Sequence, residues 1–291
     1  MGKLVTMIAS DGSCLCHCLD STDMVAEAEQ IHQTSAVVTA ALGRLMTATS
    51  IMGSVLKGED SSVTVRIGGK GPVGVVIAVA DNQGNVRGYV TNPVVELPLN
   101  QHGKLDVKGA VGTDGFLSVI KDFGFGEPYV GQVPIVSGEI AEDVTNYYAV
   151  SEQLPTVCAL GVLVNPDLTV RAAGGYVAQL LPGADDASID RLEKTIQEMP
   201  PISQMIDQKM TPQEIAERVL QGFEPELLSE QQVVYRCNCS RDRVERAFLS
   251  MSREDLAEMA NDTKDTEVSC HFCNKTYSFT PDQLKKLLAE Q

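Results

Sequence analysis

Two pairs of cysteines carry the clearest chemistry in this 291-residue chain: Cys237-Asn238-Cys239 and, after 30 intervening residues, Cys270-His271-Phe272-Cys273. A C-x-C pair followed by a C-x-x-C pair offers two short chelating arms that can close into one tetrahedral thiolate site. Zinc is the natural occupant, because four thiolates suit a borderline-soft ion with no geometric preference of its own. One zinc per chain on Cys237, Cys239, Cys270 and Cys273 is therefore expected. His271, inside the second arm, is an alternative ligand, but four cysteines already complete the shell. Close thiol pairs also form disulfides when an oxidant reaches them, so the same residues can act as a redox sensor.

The zone around these cysteines needs such a site. Residues 229–291 contain few large apolar side chains, and a segment of about 60 residues buries too little core to fold without a staple. The chain as a whole is 43% hydrophobic and 21% charged, enough for a real core and unlike a disordered chain. It has 23 Lys and Arg against 39 Asp and Glu, a formal net charge of −16, which repels phosphate backbones. Residues 229–291 hold nine bases and eleven acids with no basic face, which argues against a nucleic-acid-binding zinc ribbon. Eight cysteines are too sparse for a disulfide scaffold. No apolar run approaches the roughly 18 residues of a membrane span, and the apolar start turns polar at Asp11-Gly12, too early for a signal-peptide core. Met1-Gly2-x-x-x-Thr6 matches a myristoylation pattern but reads more simply as a first strand. The expectation is a soluble, cytoplasmic protein with no membrane partner, whose thiols are free or metal-bound.

Three zones follow along the chain. Residues 1–180 are expected to form an α+β core domain. Apolar residues at three- and four-residue steps from Val38 to Leu56 predict one long helix, opened by Thr34-Ser35 and ended at Gly58. Its opposite face carries Ala, Thr and Ser, so it should be buried on most sides. β-branched runs over residues 63–67, 75–79, 86–90, 132–136, 159–164 and 170–177, bounded by Gly, Pro, Asp and Asn, predict a largely antiparallel sheet. Gly69-Lys70-Gly71-Pro72-Val73-Gly74 fits G-x-G-x-x-G, but a strand follows it instead of a helix, so a hairpin is the better account. Residues 181–228 form a helical linker with ten acids against four bases, a net of −6. Thr211-Pro212-Gln213-Glu214 is a helix start with a capping box. Helices this short need a surface to dock against, which the zinc zone is expected to support. Residues 229–291 are expected to form a zinc-binding, redox-switch domain.

The sequence resembles the redox-regulated heat-shock chaperone family often called the 33 kDa chaperonins. Beyond the C-x-C and Cys-His-Phe-Cys pairs, the likeness runs through residues 40–44, 103–106, 111–113, 132–138, 161–166 and 172–175 with Gln179, nearly the whole chain. The resemblance implies an ATP-independent holdase that is zinc-bound and inactive when reduced. It also implies activation by disulfide formation and zinc loss, with Cys237 pairing to Cys239 and Cys270 to Cys273. The partners implied are unfolding or oxidatively damaged client proteins, with a homodimer as the active form. No enzymatic activity and no catalytic residue are expected. The alternative is a thiol-disulfide oxidoreductase using Cys270 and Cys273, although no thioredoxin-like βαβ unit precedes them. Met46 and Met52 on the long helix are a conceivable client surface, but core packing is the simpler reading.

One run departs from the family pattern. Cys14-Leu15-Cys16-His17-Cys18 falls where the family has ordinary strand residues. On a strand the three cysteines share one face, so an auxiliary site with His17 is conceivable. Same-face residues of one strand diverge, however, and packed strand thiols fit better. Cys158, in an apolar context, reads as core.

Overall fold

The chain, described over residues 1–291 by a computed structural model, opens with β1 (Gly2–Ile8), β2 (Cys14–Asp20), α1 (Thr22–His32) and α2 (Ala36–Ser54). Strands β3 (Ser62–Lys70), β4 (Val76–Asp81) and β5 (Val86–Val90) follow, then α3 (Val107–Val111), β6 (Gly112–Asp122) and β7 (Tyr129–Pro134). Next come α4 (Ala141–Tyr147), β8 (Thr156–Val164), β9 (Val170–Leu180), α5 (Asp186–Glu198), α6 (Ile202–Asp207), α7 (Pro212–Val219) and β10 (Glu226–Val233). The last elements are α8 (Arg241–Leu249), α9 (Arg253–Ala260), β11 (Thr266–Ser269), β12 (Thr276–Phe279) and α10 (Pro281–Glu290). Two compact units result, Met1–Arg236 and Cys237–Gln291.

In the first unit α2 packs between two five-stranded antiparallel sheets, ordered β10-β1-β2-β9-β8 and β5-β4-β3-β6-β7. Sixteen of its nineteen residues are buried, which only a helix apolar or small on every side tolerates. Its buried hydroxyls are satisfied: Thr47 and Thr49 donate to the carbonyls of Gly43 and Leu45, and Ser50 donates to that of Gly84. Met46 and Met52 are 0% and 3% exposed, so both are core. By length and composition α2 could cross a membrane, but here its apolar surface is used up by the two sheets. Glycines 69 and 71 have an equally structural role. A Cβ at Gly69 would stand 2.1 Å from the Gly112 carbonyl oxygen, and one at Gly71 2.2 Å from that of Ala110. Backbone against backbone, and not a phosphate, explains that glycine run.

The linker helices dock on the other face of the first sheet. α7 lies over β1 and β2, α6 over β8 and β9, and α5 packs on α7. Ile202, Met205, Ile206, Ile215, Val219, Leu220 and Phe223 share a buried cluster with Val5, Met7, Tyr176, Ala178 and the thiols of Cys14, Cys16 and Cys18. The docking surface is thus the sheet itself. The expected capping box at α7 is formed, with Thr211 accepting from the Glu214 amide and the Glu214 carboxylate accepting from Thr211. Strand β10, paired with β1 as a sheet edge, spans position 228, and the second unit opens only at Cys237. Its polar Ser229-Glu230-Gln231-Gln232 run suits an exposed edge strand and hides it from a hydrophobic-pattern reading.

Strand alternation sends His17 to the opposite face from the three thiols, so the four residues do not converge. Its Nδ1 lies 2.9 Å from Thr6 Oγ1, and its Nε2 is buried without a partner. Burial holds the imidazole neutral, with its pKa lowered to about 4. The unfolded chain, with a His pKa near 6.5, binds a proton that the folded one refuses. Stability from this residue is therefore full above about pH 6.5 and is lost as the pH falls toward 4, by roughly 3 kcal/mol. Urea unfolding of His17→Gln should show a flatter dependence on pH across that window than the parent. An equal slope in both proteins would remove His17 from the acid response.

Candidate metal centre

Residues 237–291 bury only seven hydrophobic side chains as a cluster: Phe248, Leu256, Ala260, Tyr277, Phe279, Leu284 and Leu287. Phe248 and Phe279 meet edge to face at 5.0 Å, and the Arg241 guanidinium lies 4.1 Å from the centre of the Phe279 ring. Arg241 also donates to the Ser278 carbonyl and to Gln283, tying α8 to β12 and α10. That is a thin core for 55 residues.

The first cysteine pair lies on the segment that enters α8, directly before its N-cap Ser240, which accepts from the Arg243 amide. The second pair forms the tip of the β11–β12 hairpin. There the Cys270 amide donates to the Lys275 carbonyl, the Asn274 amide donates to the Cys270 carbonyl, and Asn274 takes a left-handed φ of 57°. Cys237 Sγ comes to 3.6 Å from Cys270 Sγ, and Cys239 Sγ to 3.4 Å from Cys273 Sγ. All four sulfurs lie within 4.8 Å of one another. A tetrahedron with metal–sulfur bonds of ~2.3 Å has sulfur–sulfur edges of about 3.8 Å, so the donor set fits one zinc-sized ion. His271 is exposed and stands outside the four converging donors.

Burial pushes the Cys237 and Cys273 thiols up. Burial acts the same way on Cys239, but hydrogen bonds from Tyr277 and the neighbouring thiols outweigh it and bring that thiol down to about 7. The Tyr277 hydroxyl donates to Cys239 Sγ at 3.2 Å, and this bond, with burial, raises the phenol to about 12. The lowering favours the thiolate of Cys239, the form that ligates metals. Tyr277 was not among the residues singled out from the sequence. The alternation Thr276-Tyr277-Ser278-Phe279 in β12 is the signal that turns it inward beside Phe279. Cys14, Cys16, Cys18 and Cys158 stand apart, buried and with burial raising each thiol, Cys14 to about 11 and Cys158 to about 12.

An antiparallel α+β unit followed by a small module that brings four cysteines together defines a two-part protein with a candidate metal centre in its second part. The family model described as Hsp33 protein matches residues 2–280. The chain is 47% identical over 290 residues to the 33 kDa chaperonin of Bacillus pumilus, covering 100% of this chain and 99% of that one. It is 46% identical over 287 residues to the 33 kDa chaperonin of Bacillus subtilis, covering 99% and 98%. It also superimposes on the crystal structure of the 33 kDa chaperonin of Thermotoga maritima with a TM-score of 0.88 at 35% identity, covering 99% of this chain and 98% of that one. The chain belongs to the Hsp33 family of chaperones.

Acid should release a metal from this site as the thiolates protonate. Without the Tyr277 hydroxyl the Cys239 thiol titrates higher, so protons compete at higher pH. Chromophoric-chelator titration of Tyr277→Phe should place the zinc-release midpoint above that of the parent by roughly a few tenths of a pH unit. A midpoint unchanged or lower would show that the hydroxyl does not stabilise the thiolate.

Proposed function

We propose that the protein is a redox-regulated, ATP-independent holdase of the cytoplasm, with zinc on Cys237, Cys239, Cys270 and Cys273 in its resting state. The observation that carries this reading is the convergence of four sulfurs in a unit whose own core is seven side chains. Bound zinc supplies folding free energy to such a module, on the order of 10–16 kcal/mol in zinc-finger peptides. Each disulfide forms when two thiolates give two electrons to one peroxide, which leaves as water after taking up protons. Two disulfides consume all four ligands, and residues 237–291 are left with a core too small to hold them. Strand β10 then loses the folded module that follows it in the chain, and with mild heating the short helices α5, α6 and α7 leave the sheet. The apolar face so uncovered, with Val5, Met7 and Tyr176, is offered to unfolding clients and to a second copy of the chain.

The proposed pairing is Cys237 with Cys239 and Cys270 with Cys273. In the closed site sulfurs of opposite arms stand 3.4 and 3.6 Å apart, so cross-arm pairing competes there and opening of the site favours the local pairs. Once it is open, the ends of short segments meet far more often than residues 30 apart. The oxidoreductase alternative is weakened by the position of Cys270 and Cys273 at a hairpin tip, away from the helix N-terminus that would lower a nucleophilic thiol's pKa.

Reduced protein should contain one zinc per chain and scarcely suppress aggregation of a heat-unfolded client. After peroxide with mild heating it should release the zinc and suppress aggregation at near-stoichiometric ratios without ATP. Turnover of a glutathione or insulin substrate by the metal-free protein would favour the oxidoreductase instead. Replacing one ligand, Cys270→Ser, should weaken zinc binding and give partial protection without oxidant. A variant that loses zinc, unfolds residues 237–291 and never protects would refute gating by metal release. Peptide mapping after oxidation at raised temperature should find the two local disulfides, and a dominant Cys239–Cys273 bond would overturn the pairing.

A further inference from the structure

The strand thiols Cys14, Cys16 and Cys18 belong to neither the metal site nor the main core. They are all 0% exposed, on the strand that α7 covers and in the buried cluster that α6 shares, between Val5 and Met7 of β1 and Tyr176 and Ala178 of β9. Their cover is two helices of six and eight residues, short enough to depend on this docking for their existence. Cys158 makes the contrast, since it faces the other side of the same sheet and packs into the cluster around the nineteen-residue α2. Ala172 and Ala178 in the same cluster show that small apolar side chains without sulfur fill such positions.

We infer that Cys14, Cys16 and Cys18 form a cryptic thiol-modification site that takes a low-molecular-weight disulfide once α6 and α7 leave the sheet, and that the attached group bars the helices from returning. The inference rests on the reading above in one respect, that the linker lifts on activation. The geometry selects the chemistry. Same-face neighbours on a strand are about 6.7 Å apart with side chains directed in parallel, at the outer limit for a disulfide. While β2 stays paired between β1 and β9, these thiols cannot readily bond to one another, so they react outward. A thiolate attacks one sulfur of the small disulfide, its S–S bond breaks as the new one forms, and the second half leaves as a thiolate, with no net electron change. Under the helices burial raises all three thiols and keeps them inert. On the uncovered sheet that suppression is lifted. A peptide-sized adduct has no room in a face packed at interior density, so redocking is blocked until the adduct is reduced.

The test uses the full-length protein with glutathione disulfide as the probe and peptide mass mapping as the readout. Reduced, zinc-loaded protein should carry no glutathione on Cys14, Cys16 or Cys18. Peroxide- and heat-activated protein should carry it on at least one of the three, with Cys158 unmodified. Aggregation suppression that appears while all three remain unmodified would overturn the inference and leave the holdase reading standing. Labelling without suppression would do the reverse. The blocking step is tested by treating activated protein, whose metal ligands are held as disulfides, with N-ethylmaleimide and then restoring reductant and zinc. Alkylated protein should keep most of its protective activity, whereas the untreated sample returns to the reduced baseline. A Cys14→Ala/Cys16→Ala/Cys18→Ala variant should return to baseline with or without alkylation. Should that variant fail to fold, Cys16→Ala alone and the mass map on the parent decide the question. Equal decay of alkylated and untreated parent protein would refute the block.

Discussion

A 55-residue unit with seven buried apolar side chains has a thin core, and the four sulfurs it gathers are placed where a bound metal would supplement that core. Everything else in residues 237–291 is arranged around that gathering. Ser240 starts α8 immediately after the first pair, and the β11–β12 hairpin presents the second pair at its tip. Arg241 ties the helix to the hairpin, and Tyr277 places its hydroxyl on Cys239. On the proposed reading the ligands are also the residues an oxidant attacks, which ties the fold of this unit to its chemistry. In the proposed switch, the stability of this unit follows the state of its thiols.

The first unit follows the opposite logic. Its α2 is enclosed by two sheets and draws on none of the four clustered cysteines. Between these extremes lie α5, α6 and α7, folded against a sheet face and too short to persist without it. The gradient from α2 through the linker helices to the four-cysteine module orders the molecule by the free energy needed to open each part.

Much of this was legible from the sequence because local chemistry dictated it. The two cysteine pairs announce the metal centre by spacing, Thr211-Pro212-Gln213-Glu214 announces α7 by its caps, and the strands of the first unit by their β-branched runs. What was hidden depends on tertiary context. Strand β10 is polar and lies at an edge, so its pairing with β1 leaves little hydrophobic signature. The partner of α6 and α7 is a face assembled from β1, β2, β8 and β9, segments separated by more than a hundred residues. Tyr277 acquires its role only when β12 is brought beside the first cysteine pair, and His17 owes its lowered pKa to burial that no neighbouring residue reveals.

The position of β10 has a consequence for reversibility. Strand β9 ends at Leu180 and β10 begins at Glu226, and both are members of one sheet, so the 45 residues between them form a loop pinned at each end. A lifted linker therefore never diffuses away. It competes for its own docking face as an intramolecular ligand, at an effective concentration that for short flexible tethers is on the order of millimolar. A client occupying that face is in standing competition with a tethered rival. In the proposed cycle, reduction of the thiols would let the returning helices displace the client by mass action.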